Sequence, residues 1–289
     1  MSKLALGTVQ FGLKYGVANQ LGQIEKQEAK KIIHLAKAHQ LDMVDTAMGY
    51  GNCESILGEI GVDDLKVVTK LTFDMTESDG LSELVFAKVR ASILRLGVSS
   101  LYGLLLHHPS KLFSPNSDAL YKALLLLKEL GMIKKIGISV YSPDELGQIL
   151  SKYRMDIVQV PFNIFDQRIY FSGWLDRLKN EGVEIHVRSI FLQGLLLMPE
   201  NKIPSKFARW NIELTKWRQW LEDKNLTAIQ ACLSFALSFE QIDRVLFGVD
   251  SVEQFSQVMD FSKNQTSISF PDFHLNDESL LNPMNWGTL

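Results

Sequence analysis

The chain has 289 residues, 46% hydrophobic and 22% charged, the balance of a soluble globular protein with room for one large domain or two small ones. Its formal net charge of −3, with no long Lys/Arg run, argues against a nucleic-acid or anionic-membrane partner and points to small molecules. Cys53 and Cys232 lie far apart without metal-ligand spacing, the apolar start Leu4-Ala5-Leu6-Gly7 is too short for a signal peptide, and no run approaches the ~20 residues that span a membrane, so a reduced cytoplasmic protein is expected.

Leu4 to Gly7 reads as a first strand. A loop carrying Gly12, Gly16 and Gly22 follows, and from Glu25 to His39 the residues Ala29, Ile32, Ile33 and Ala36 recur with helical spacing. Strand, loop and helix make one βα unit, and the unit repeats. Leu41 to Asp45 is a second strand, followed by a short helix from Cys53 to Ile60 with Gly61 as its stop. Lys66 to Lys70 is the third strand, then come a polar loop and a helix from Leu81 to Leu96. Leu101 to Leu106 precedes a helix from Asp118 to Leu130, whose Leu120, Ala123, Leu124 and Leu127 share one face. Lys135 to Ser139 is strand five, and Ser142-Pro143 opens the next helix, to Ser151, with a cap and a first-turn proline. Asp156 to Val160 and Glu184 to Arg188 are strands six and seven, with a helix from Gly173 to Asn180 between them. Pro199 to Pro204 reads as loop, Ile212 to Leu221 as a helix, and Thr227-Ala228-Ile229-Gln230 as a capping-box start for another. Arg244 to Phe247 is strand eight and Ser251 to Phe261 the last helix.

Eight βα units in about 260 residues, with no linker between them, predict an α/β fold: one (β/α)8 TIM barrel over residues 1–263. Residues 264–289, with Pro271, Pro283 and Trp286 and no periodicity, predict an extended C-terminal tail packed on the barrel.

Asp45 ends an apolar strand, where a carboxylate needs a cationic or hydrogen-bonding partner. Lys70 and His107 end the next two strands, and Tyr50 lies in the loop just beyond Asp45. All four therefore converge on the C-terminal mouth, where barrel active sites form. An Asp–Lys pair across neighbouring strands is by itself more often a structural ion pair; four matched groups outweigh that reading. His108 reads as a packing or loop residue and Cys53 as facing the helix start. His34, His39 and His274 lack metal-ligand spacing, so no metal is expected.

On these residues the sequence resembles the aldo-keto reductase family. Asp45-Thr46-Ala47 to Tyr50-Gly51 looks like its Asp/Tyr motif, Thr69-Lys70 its lysine, and Leu105-Leu106-His107-His108-Pro109 its histidine, and the likeness runs from Gly7-Thr8 to the segment after strand eight. The resemblance implies reduction of an aldehyde or ketone by hydride transfer from a nicotinamide cofactor. It makes Tyr50 the general acid and Lys70 the cation that stabilises its anion, with Asp45 aiming Lys70 and a neutral His107 donating to the substrate oxygen. It also implies cofactor contacts from Gly7, Thr8 and Gly194, from Ser139 and Gln159 to the nicotinamide amide, and from Gly248, Ser251 and Gln254 as a phosphate loop opening the last helix. Arg188 stands where the family has an aromatic ring on the nicotinamide, and Val140 where it has Asn. Ser251 and Gln254 read equally as a capping box.

NADPH is the cofactor the resemblance implies, with NADH left open, because Asp250 and Glu253 make the last segment acidic; Lys202, Lys206 and Arg209 are cations outside it. The expected partner is a small-molecule carbonyl substrate, in a monomer or a dimer. Phe11, Tyr15, Met48, Phe73 and Trp286 are candidate pocket walls. Two other readings stand beside this one: a cofactor-binding regulatory or interaction protein on the same fold, and a non-redox enzyme such as a lyase using Lys70 as a Schiff base. Neither needs a phenol acid, so Tyr50 beside Lys70 argues against both.

Overall fold

The computed structural model describes residues 2–73, 80–263 and 268–288. Eight parallel strands, β1 (Leu4–Gly7), β2 (Met43–Asp45), β3 (Lys66–Leu71), β4 (Leu101–Leu106), β5 (Ile133–Ser139), β6 (Ile157–Pro161), β7 (Glu184–Arg188) and β8 (Arg244–Phe247), close into a barrel in sequence order. Leu4 pairs with Val245 and Leu6 with Phe247, so the first strand seals against the last. This is the (β/α)8 fold expected from the repeat.

Helices surround the barrel, each turning an apolar stripe inward. Lys26–Ala38 buries Ala29, Ile32, Ile33 and Ala36, and Ser117–Glu129 buries Leu120, Ala123, Leu124 and Leu127, the faces given by their spacing. At Thr227 both halves of the capping box form: its Oγ1 accepts the N–H of Gln230 at 3.2 Å, and Gln230 Oε1 accepts its N–H at 2.9 Å. Pro143 falls outside the helix it was expected to open. The Asp144 N–H donates to Ser142 Oγ at 3.3 Å, which starts the helix at Asp144 and leaves the proline at the N-cap. The segment Pro199–Pro204 holds one 3-10 turn, Glu200–Lys202. In the polar loop after β3, residues 74–79 lie outside the described residues.

Within the tail, residues 264–267 also lie outside the described residues. From 268 onward the chain is extended as far as Asp277, with Phe273 against Phe165, Trp217 and Trp220. It does not stay extended. Asp277 accepts the N–H of Ser279 at 2.9 Å and caps a helical turn, Glu278–Leu281, followed by a 3-10 turn, Pro283–Thr288. Leu280, Leu281 and Trp286 are buried by these turns, at roughly 1.5–3 kcal/mol for a large apolar side chain, which is why turns replace the expected strap.

Inside the barrel, Ala5, Met43, Val68, Leu105, Ile157 and Leu246 form a separate apolar plug. Side chains alternate with period two along a strand. Two residues beyond this plug, on the same inner face, stand Gly7, Asp45, Lys70, His107, Gln159 and Gly248. The strand pattern therefore puts a polar layer on an apolar floor at the C-terminal mouth.

Candidate active site

Asp45 is the centre of that layer. Lys70 Nζ makes a buried ion pair with its Oδ1 and donates a second hydrogen bond to the Thr46 carbonyl at 3.0 Å. Gln159 Nε2 donates to Oδ2 at 2.8 Å, and Ser139 Oγ donates to Gln159 Oε1 at 3.3 Å. Each carboxylate oxygen thus has a donor, which is the condition for keeping a charge away from water. Three residues from three further strands, Lys70, Gln159 and Ser139, thus hold Asp45 in a chain that aims Lys70.

Tyr50 lies above this chain. Its loop is pressed against the first one: a Cβ at Gly12 would sit 1.8 Å from the Tyr50 carbonyl, and Gly51 takes φ +56 with a would-be Cβ 2.5 Å from the Gly12 carbonyl. Only glycine fits either place. The phenol ring meets the His107 ring edge-on at 5.9 Å, and Lys70 Nζ sits 5.2 Å from the phenol centroid. Sequence reasoning put Lys70 beside the hydroxyl to make it more acidic. In the structure the ammonium faces the ring, and burial first and the Asp45 charge second push the phenol above its ordinary range, with Arg188 opposing.

His107 is the reverse case. Burial and the Lys70 charge bring its imidazole down to about 3, so it is neutral over the physiological range. Thr72 Oγ1 lies 3.3 Å from its Nδ1, and His108 stacks on it at 5.2 Å. His108 itself is exposed, as expected of the second histidine.

From Tyr50 and Asp45 a cleft of ≈ 490 Å³ runs past Gly7, Thr8 and Gly194 to Gly248 and Gln254, at the start of the helix Val252–Lys263. That volume is within the range of cofactor sites. Six of the nine sequence-predicted cofactor residues line it: Gly7, Thr8, Arg188, Gly194, Gly248 and Gln254. The other three do not. Ser139 and Gln159 are engaged below with Asp45, and Ser251 Oγ accepts the Gln254 N–H at 3.2 Å while Gln254 Oε1 accepts the Asp250 N–H at 2.8 Å. Ser251 thus caps the helix, while the Gln254 side chain turns to Asp250 and does not close the box back to Ser251. Of the candidate walls, Tyr15 lines the cleft, Phe11 is core, and Trp286 packs on Phe207 under the tail.

Several cleft residues have no counterpart in the sequence reading. Gln10 lines the cleft, is buried, and its Oε1 has no hydrogen-bond partner among the described residues. An unpaired buried acceptor on a cleft wall suits a ligand donor, so the residues present fit an elongated polar cofactor. Gln10 follows the Gly7-Thr8 pair by two positions, and nothing in its local pattern separates it from a surface glutamine. At the far end, Asn19 Nδ2 donates to Asp250 Oδ1 at 2.9 Å, and burial pushes the Asp250 carboxyl above the usual range. The loop after β7 carries left-handed backbone at Ser189, Leu192 and Gln193 (φ 59, 47 and 51), a conformation that costs ~1–3 kcal/mol per non-glycine residue and gathers at functional sites. Its Gln193 carbonyl accepts the Val17 N–H at 3.0 Å, which joins it to the first loop beside the cleft.

Behind the site Glu54 was missed as well. Buried on the helix Cys53–Ile60, it accepts from Thr69 and Ser92 hydroxyls, each at 2.7 Å, and from Arg95 Nε at 2.9 Å. An acid in the first turn of a mostly apolar helix was the available signal.

Among the described residues no helix is long and apolar enough to cross a membrane. A sequence model of the Aldo/keto reductase family matches residues 3–270. The chain is 24% identical to an L-glyceraldehyde 3-phosphate reductase of Escherichia coli O157:H7, over 88% of this chain and 84% of that one. It is 25% identical to an uncharacterized oxidoreductase of Bacillus subtilis (strain 168), over 88% and 89%. In structure it is similar to the holo form of an aldo-keto reductase from Bacillus halodurans, with a TM-score of 0.74 and 21% identity over 93% of this chain and 88% of that one.

Proposed function

The chain belongs to the aldo/keto reductase family, and from that premise we propose that it reduces an aldehyde or ketone to an alcohol, with a nicotinamide dinucleotide as hydride donor and Tyr50 as general acid. The observation that carries the reading is the convergence of Asp45, Tyr50, Lys70 and His107 at one end of a cleft of ≈ 490 Å³ that reaches the start of the last long helix.

The bound cofactor would supply the hydride; the chain's own residues handle the proton and the developing charge. His107, neutral, donates to the carbonyl oxygen and orients it. Tyr50 then gives its proton to the alkoxide. An alkoxide is about as basic as hydroxide, whose conjugate acid has a pKa of ~15.7, so even a phenol raised by burial is the stronger acid of the two. The same rise keeps the phenol protonated near neutral pH, the form in which it can act as an acid. Lys70, held by Asp45 and the Thr46 carbonyl, stabilises the phenolate left behind. Its amine is held as a donor by Asp45 and the Thr46 carbonyl, whereas a Schiff-base lysine must be a free amine, so this arrangement supports proton chemistry over a lyase.

Gly7, Thr8, Gln10, Gly194, Gly248 and Gln254 would hold the cofactor. NADPH is the donor typical of the family, with Lys202 a cation on the cleft wall and Asp250 the group working against the extra phosphate. The test is titration of NADPH and NADH into the pure protein, followed by fluorescence, and then turnover with simple aldehydes. Binding with aldehyde-dependent oxidation of the cofactor is expected; no binding of either nucleotide would end the reading.

A further inference from the structure

Arg188 closes β7 and brings its guanidinium to the cleft wall beside Tyr50. One face of the group lies on the Tyr141 ring, with the central carbon 4.4 Å from the ring centroid. Nη2 donates to the Val140 carbonyl at 3.1 Å and Nη1 to Ser189 Oγ at 3.3 Å. These contacts fix the group in place without neutralising it, since both acceptors are uncharged.

A guanidinium has five N–H donors, so those two bonds leave three. The other arginines held within the fold are treated differently. Arg168 pairs with Asp166 and Glu278, and Arg244 with Asp42. Arg188 alone of these three faces no carboxylate within ion-pair distance among the described residues. The nearby carboxylate, Asp45, has one oxygen on Lys70 and the other on Gln159. With His107 neutral, the inner mouth holds Asp45 against Lys70 and Arg188, and so carries one uncompensated positive charge. A half-buried cation without a counter-charge is unfavourable unless something anionic meets it. A planar fork fixed by stacking is a bidentate receptor for an oxyanion.

We propose that the carbonyl substrate of this enzyme carries an oxyanion, a carboxylate or a phosphate, which Arg188 binds at the Tyr50 end of the cleft. The inference rests on the carbonyl-reductase reading and narrows its substrate class. Charge at this position selects between aldehydes of the same carbon-chain length: the anionic member gains two charge-assisted hydrogen bonds, and the neutral one leaves the guanidinium desolvated and unpaired.

The experiment compares two pairs of aldehydes, 4-oxobutanoate with butanal and glycolaldehyde phosphate with glycolaldehyde, in the wild type and in Arg188→Met and Arg188→Lys, with cofactor dissociation constants measured alongside. The wild type should prefer the anionic member of at least one pair by tenfold or more in kcat/KM. The pair that responds separates carboxylate from phosphate. Arg188→Met should bring that ratio close to one, chiefly through KM, and Arg188→Lys should restore part of it. Equal use of both members by the wild type would overturn the proposal. So would an Arg188→Met protein that keeps the ratio but binds the cofactor more weakly, which would give the guanidinium to the cofactor phosphates instead. Failure to reduce any of the four aldehydes, by folded protein that binds the cofactor, would remove the reductase reading and this inference with it.

Discussion

Gln159 Nε2 donates to Asp45 Oδ2 at 2.8 Å, which ties a glutamine expected on the nicotinamide to the carboxylate that holds Lys70. Gln159→Leu should therefore act as the loss of a positioning residue: Asp45 keeps Lys70 but loses its second donor. We expect kcat to fall about tenfold, as ~1.4 kcal/mol would give, with KM for the aldehyde nearly unmoved. Gln159→Glu would put a second carboxyl against Asp45 and should do worse than leucine. A rise in cofactor dissociation constant with kcat intact would return Gln159 to the cofactor.

Tyr50→Phe removes the hydroxyl to which we assign the proton transfer and little else. Reduction should slow by ~10² to 10⁴, the usual contribution of general acid catalysis, while cofactor binding changes little. Activity within a few-fold of wild type would take the role from Tyr50.

Lys70→Met should be at least as damaging and should also destabilise the protein. Asp45 is buried and its ion pair lies at the barrel mouth, so removing one partner leaves an uncompensated charge, typically ~3–5 kcal/mol. Thermal unfolding of Lys70→Met against the double variant Lys70→Met/Asp45→Asn checks this. The second substitution should recover much of the lost stability but none of the activity.

Acid should weaken the fold partly through His107. Its folded-state pKa of about 3 lies below the ordinary 6.5, so between those values the unfolded chain binds a proton that the folded chain refuses. Stability is therefore lost as pH falls through that window. Glu184 adds to the loss below about 4.5: its burial pushes it up, but hydrogen bonds from His186 and Lys135 hold it well below the carboxylate range. Melting curves at pH 7, 5 and 4 should show the decline, and His107→Gln should flatten it between pH 6.5 and 5. Reduction itself should show no inflection from His107 above about pH 4, because the imidazole stays neutral there.

Asp250→Asn should shift the balance of cofactors toward NADPH. The carboxylate lies in the outer cleft with its Oδ1 on Asn19, and asparagine offers a similar shape without the charge. The ratio of NADH to NADPH dissociation constants should rise several-fold, measured at fixed low salt because surface phosphate contacts are screened. An unmoved ratio would place the extra phosphate away from Asp250.

The barrel was legible because its evidence is periodic: a strand of two-residue alternation and a helix of 3.6-residue spacing repeat eight times, so local ambiguities cancel. Asp45, Tyr50, Lys70 and His107 were legible for a related reason, each being tied to the C-terminal end of a strand. The partnerships among them were not. Whether Gln159 reaches the cofactor or Asp45, and whether Lys70 meets the hydroxyl of Tyr50 or its ring, depends on side-chain direction within a layer contributed by non-adjacent strands. The helical turns at Glu278–Leu281 were hidden because four residues carry no period. Gln10, Asn19 and Tyr141 matter only through residues far away in sequence.

The seal between β1 and β8 also orders the events of folding. Asp45, Lys70 and His107 belong to β2, β3 and the end of β4, which follow one another closely in the chain and need only short loop closures to meet. The cleft needs more: Gly7 and Thr8 come from the first strand, Gly194 follows the seventh, and Gly248 follows the eighth. These pieces come together only when Leu4 finds Val245, a contact spanning most of the chain. A ribosome-bound chain that has not yet emitted β8 could thus bring Asp45, Lys70 and His107 together while the cleft is still missing one wall, and ligand binding in that cleft would report that the barrel has shut.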